Sequence, residues 1–185
     1  MSNGASIIQF YQGLSDRKRI DFIFRNYDNL SDFIREYEDL ICNRILEERA
    51  VKLREGRETL GIRVQTSVLS DPTTRDAINH SDVMQKIRDN NLDSLEKFCD
   101  NPEEMSIEVN ILYQMKKDYK AVNKAMYVLN GHERKILTDM LNHDKRLCDL
   151  AEERSIEYES AKMYIYRNKR KVKKQALEFM RKMKI

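Results

Sequence analysis

Side chains able to do chemistry are spread along this chain, but the cationic ones are concentrated at one end. From Glu157 onward ten basic residues (Lys162, Arg167, Lys169, Arg170, Lys171, Lys173, Lys174, Arg181, Lys182 and Lys184) stand against Glu157, Glu159 and Glu178, leaving this segment at +7 and the remainder at −4. A basic end on a mildly acidic body points to a polyanionic partner. The bland alternative is a solvated helix face, because cations also favour the negative end of their own helix dipole.

Catalytic constellations are missing from the sequence. His80, His132 and His143 are isolated, neither H-E-x-x-H nor C-x-x-C occurs, and His143 with Cys148 lacks further ligands for a zinc site. The acid pairs Glu152-Glu153 and Glu103-Glu104 are adjacent on helices and point in different directions. With five glycines there is no Gly-rich loop to cradle phosphates. The expectation is a non-enzyme without metal or cofactor.

The elements that must position the basic end are helices. The 185 residues hold 34 Lys+Arg, 31 Asp+Glu, 41% hydrophobic residues, two Pro and no Trp, too little turn chemistry for a sandwich or barrel that needs a turn roughly every 8–12 residues. The expected fold class is all-α. No stretch approaches the roughly 18 consecutive apolar residues of a membrane span, and Met1-Ser2-Asn3-Gly4-Ala5-Ser6 lacks the order of a signal peptide. A cytoplasmic protein without membrane contact is expected. Cys42, Cys99 and Cys148, odd in number and far apart, read as reduced thiols.

Residues 1–56 are expected to form an amino-terminal helical hairpin, Asp16 to Leu30 and Asp32 to about Arg54. Ser31 caps the second helix, Ile34, Tyr37, Ile41 and Ile45 share one of its faces, and Gly56 and Gly61 close the unit. Residues 57–72, rich in β-branched and turn types, read as a linker or extended arm ending at the helix-start signal Asp71-Pro72. Residues 73–130 form a central part: a helix to about Asp89, an interruption at Asn90-Asn91, a short helix over Leu92 to Cys99, and a new start at Asn101-Pro102. The long helix that follows carries Ile107, Ile111, Met115, Tyr119, Val122, Met126 and Leu129 as one stripe, which packs within the chain or against a second copy. Asn130-Gly131 then ends it, the glycine as a left-handed cap.

Residues 131–185 carry the functional expectation. Glu133 to Leu141 puts Ile136, Leu137, Met140 and Leu141 on one side, Asn142 to Arg146 connects, Leu147 to Glu153 is a short helix, and a longer helix starts near Tyr158 after the break Arg154-Ser155-Ile156. This is the spacing of a helix-turn-helix. The small Ala151 lets the helices approach, Leu147, Leu150 and Ile156 fill between them, and Ala161 and Ile165 face inward. Tyr158, Ser160, Lys162, Met163, Tyr166 and Arg167 then face outward.

Leu129 to Val172 resembles the fourth region of bacterial sigma factors, the helix-turn-helix that reads the −35 promoter element. Glu133-Arg134-Lys135-Ile136-Leu137 is similar to that family's entry helix, Leu150-Ala151-Glu152-Glu153 to its first motif helix, and Ser160-Ala161-Lys162 with Ile165 and Arg167 to its recognition helix. Ser155 stands where the family's turn has glycine, and Glu157 where Ser or Thr is common. The phrase Val64 to Thr73, with a helical part ahead of the sigma-like segment, resembles phage-encoded late-gene and autolysin regulators of Gram-positive hosts. These resemblances imply a transcriptional regulator of phage or prophage genes, with RNA polymerase as a second partner.

Such a protein would place the start of the helix at Tyr158 in the major groove of double-stranded DNA. Tyr158, Ser160, Lys162, Met163 and Tyr166 are the expected base-reading residues, and Arg167, Lys169, Arg170, Lys171 and Lys174 the expected phosphate contacts. Glu157 and Glu159 must cap the helix, accept from a cytosine amino group, or oppose insertion. Two rival classes fit the same chain: a DNA-packaging protein of the small terminase type, and a helical interaction module without nucleic acid. The central stripe would serve a homodimer or higher oligomer in any of the three.

Overall fold

In the computed structural model, residues 2–58 and 72–183 are described. They are all-α, with no strand among them. The helices are α1 (Ser2–Gln12), α2 (Asp16–Arg25), α3 (Tyr27–Glu58), α4 (Pro72–Arg88), α5 (Pro102–Ala125), α6 (Gly131–Leu141), α7 (Leu147–Glu153) and α8 (Tyr158–Lys182), with short 3-10 turns at Glu96–Phe98 and Met126–Val128. None of these helices is long and apolar enough to cross a membrane. The linker expected over residues 57–72 lies mostly outside the described residues, and so does Gly61.

Two compact units divide the chain. Met1–Phe33 and Gln114–Ile185 form the first, and Ile34–Tyr113 the second. The carboxy-terminal helices therefore share a unit with α1, α2 and the end of α5.

In the second unit, Ile34, Tyr37, Ile41 and Ile45 are all buried, as their spacing requires. Polar ties supplement this apolar packing: Arg88 Nε reaches Glu38 at 3.3 Å, Lys52 Nζ donates to the Cys99 carbonyl at 2.7 Å, and Arg44 pairs with Glu108. Cys42 and Cys99 are buried free thiols, and burial pushes the Cys42 thiol up to about 11. α4 opens on Pro72 and α5 on Pro102, where a missing amide donor costs nothing.

The first unit is laced by buried polar contacts between remote segments. Tyr11 donates to Asp118 at 2.8 Å, Gln114 to the same carboxylate at 2.7 Å, and Arg19 lies 3.7 Å away. Tyr27 donates to Asn123 at 2.7 Å. The inward face of α8 (Ala161, Ile165, Asn168, Val172, Ala176 and Met180) is buried, at the spacing of three and four that the helix period demands.

Five expectations are corrected. The helix break falls at Asn26, not Ser31: the Asn26 amide and its side-chain Nδ2 both donate to the Phe22 carbonyl, and its own carbonyl accepts from Asn29 and Leu30, so one residue ends α2 and opens α3. Ser31 is an interior residue of α3, and Gly56 lies inside the same helix. α1 precedes the expected pair. Gly131 is no left-handed cap but the first residue of α6, whose cap is Asn130: its Oδ1 accepts from the Glu133 amide at 2.8 Å, and Glu133 accepts from the Asn130 amide at 3.2 Å. In the central stripe, Ile111, Met115, Val122, Met126 and Leu129 are buried and Tyr119 partly so, whereas Ile107 is exposed.

Candidate nucleic-acid interface

α7 and α8 are joined by Arg154 to Glu157, and the turn is closed by hydrogen bonds from the Ser155 and Ile156 amides to the Glu152 and Ala151 carbonyls, both 3.0 Å. Ser155 has φ 52, the left-handed conformation for which glycine is the easiest residue. Leu150, fully buried, holds α7 down, and Ala161 and Ile165 face inward opposite it. Ile156 does not fill the space between the helices. It is exposed, because the turn projects it to solvent, while Leu147 and Ala151 are half-buried. Arg154 fixes the turn onto α8: its guanidinium sits 4.4 Å from the Tyr164 ring centre and donates to the Tyr164 hydroxyl at 3.4 Å.

The five expected base-reading residues are all exposed on the first turns of α8, with Tyr158 at 52%, Met163 at 45% and Tyr166 at 58%. They do not share one line. Ser160 and Lys162, two residues apart, diverge by about 200° around the axis. Tyr158, Lys162, Tyr166 and Arg170 instead follow one another in steps of four, and Met163 leads to Arg167 in the same way. Lys162 is held by Glu159 at 3.3 Å, so its charge is partly neutralised. Glu157 is the N-cap of α8 by backbone position, yet its side chain makes no capping bond.

Of the five expected phosphate contacts, Arg167, Arg170, Lys171 and Lys174 come together. With Arg17, Tyr166, Lys173 and Leu177 they line a groove of about 830 Å³ whose walls hold six cations and no carboxylate. Lys169 is turned away from it. It is half-buried with its ammonium 6.0 Å from the Phe24 ring centre, and burial lowers its pKa. Arg17 and Lys173 are not among the expected phosphate contacts, although Lys173 lies in the same basic run. Nothing in the sequence around Arg17 marks it, because its place at the groove follows from the packing of α2 on α8.

Acidic residues hold part of this charge. Lys173 Nζ lies 2.6 Å from both oxygens of Asp21, and Lys171 Nζ 3.2 Å from Glu133. Burial raises the Glu133 carboxyl, but the Asn130 amide and Lys171 more than offset it, and the group titrates below its ordinary range. Arg17, Arg167, Arg170 and Lys174 make no ion pair among the described residues. Among those residues, too, no three His, Cys, Asp or Glu side chains converge on a metal position.

Comparison with protein-family models, with curated proteins and with solved structures returned no match to this chain.

Proposed function

We propose that this chain is a sequence-specific DNA-binding transcriptional regulator of phage or prophage type, with α8 as the element that enters the major groove. The observation that carries the reading is the exposed side of α8, where Tyr158, Met163 and Tyr166 lie ahead of Arg167, Arg170 and Lys174, cations that make no ion pair among the described residues. A helix about 10–12 Å across fits a groove about 12 Å wide. Only the first turns of a 25-residue helix can lie within the groove's depth of roughly 8.5 Å before it rises past the phosphates. Apolar and hydroxyl groups at the front, with guanidinium and ammonium groups behind, suit base edges followed by backbone.

The Ser155 turn supports the same reading, since it sets α7 and α8 in the succession that the sigma-like resemblance implies. That resemblance also makes RNA polymerase a partner to test. A DNA partner goes with a cytoplasmic location, and assembly into a homodimer would double the number of half-sites contacted, a larger oligomer raising it further.

Selection from a pool of host and prophage fragments, repeated across a salt series and sequenced, tests the proposal. A defined enriched site upstream of genes is the expected result. Enrichment at a packaging start would favour the terminase-type alternative, and absence of DNA binding at low salt would overturn both in favour of a protein-interaction module.

A further inference from the structure

The groove between α2 and α8 extends past the residues that a helix-turn-helix needs. Arg17 comes from the amino-terminal part of the chain, is exposed, and faces the groove from α2. On the opposite wall Arg167, Arg170 and Lys174 recur in steps of three and four, covering about 10 Å of helix rise. Phosphates of one DNA strand recur about every 3.4 Å along the duplex axis, so a row of this length can meet more than one of them. A small anion would need converging cations; these are strung out in a line, which suits a linear polyanion. Tyr166, at the junction with the base-facing start of α8, and Leu177 add apolar surface beside the row.

We propose that this groove binds the sugar-phosphate backbone of duplex DNA flanking the bases met by the start of α8, with Arg17 as a clamp from outside the carboxy-terminal helices. The inference rests on the reading of α8 as a DNA-facing helix. It assigns the amino-terminal segment a direct share in affinity. Phosphate contacts are indifferent to sequence, so Arg17 contributes equally to every duplex.

The test measures binding of the full chain to two duplexes of roughly 30 base pairs, one carrying the selected site and one scrambled, between about 50 and 200 mM salt. Arg17→Gln is compared with Lys18→Gln; Lys18 is an exposed neighbour on α2 that does not line the groove. Circular dichroism checks that each variant keeps the wild-type helix content. Arg17→Gln is expected to weaken both duplexes several-fold and to reduce the magnitude of the log–log salt slope by about 0.9, while Lys18→Gln leaves it unchanged. If Arg17→Gln behaves as wild type, the inference is overturned even though the selected site is bound, and the regulatory reading survives alone. If Arg17→Gln lowers the slope but no site is enriched, the clamp stands and sequence-specific recognition fails. Binding to phosphatidylserine vesicles with none to either duplex overturns both.

Discussion

Lys173 of α8 places its ammonium 2.6 Å from both carboxylate oxygens of Asp21 on α2, across 152 residues of sequence. The contact is half-open to solvent, with side-chain exposures of 29% and 44%, so its share in stability is small, about 0.5 kcal/mol. Its larger effect is electrostatic, because the Asp21 carboxylate sits beside the basic groove. Asp21→Asn should lower stability by no more than about 1 kcal/mol in urea unfolding. It should also tighten duplex binding, by up to roughly fivefold at low salt. Fluorescence anisotropy reads the second effect, and weaker binding would contradict the placement of the groove.

A second prediction concerns the first turn of α8. Glu159 holds Lys162 at 3.3 Å and projects among the residues expected to meet bases. Glu159→Gln removes the repulsion from phosphate and frees the lysine. Affinity for scrambled duplex should rise by about 1 kcal/mol, roughly fivefold. The enriched sequence should also change if the carboxylate accepts from a cytosine amino group; an unchanged sequence would exclude that role.

Ser155 gives a test of the turn itself. At φ 52 a residue with a Cβ is strained, and glycine relieves about 1 kcal/mol. Ser155→Gly should therefore raise the urea midpoint with unchanged slope, whereas the β-branched Ser155→Val should lower it. A destabilised glycine variant would mean that the turn is not left-handed.

The Tyr11–Asp118 pair predicts a pH effect. Burial raises the Asp118 pKa, against the opposing hydrogen bonds from Tyr11 and Gln114 and the charge of Arg19. With the folded pKa above the unfolded value of about 3.9, the native state binds more protons between the two. Stability is then fully present below the unfolded value and falls as pH rises through the folded one. Urea unfolding at steps upward from about pH 4 should show this fall in the wild type and not in Asp118→Asn. Parallel curves would show that Asp118 titrates normally.

Much of this architecture is legible in local residue patterns. Pro72 and Pro102 mark the starts of α4 and α5, the bounds of α7 at Leu147 and Glu153 follow from its apolar pair and flanking polar turn, and α8 begins at Tyr158 as read. Local signals failed where one residue served two elements. Asn26 ends α2 with its amide and opens α3 with its carbonyl, a combination that no cap pattern separates from the stronger-looking Ser31. α1 carries no acidic residue in its first turn and no basic residue in its last, so nothing at its ends announces it. At the candidate interface, the cations on α8 were visible as a run, but their sorting was not. Lys169 and Lys173 lie one turn apart on the same side of α8, and which of them is buried over Phe24 and which reaches Asp21 of α2 depends on long-range packing.

The discontinuity of the first unit sets an order on synthesis. Ile34–Tyr113 are contiguous and can close while the remainder is still being made, since domains tend to fold as units as the chain emerges. Tyr11 and Asp21 must wait for Asp118 and Lys173, so α1 and α2 stay without these partners until α5 and α8 have been made. The basic groove consequently comes into being only once α8 has been made. A ribosome-bound nascent chain stopped before α8 would hold the Ile34–Tyr113 unit folded and have no groove with which to capture nucleic acid.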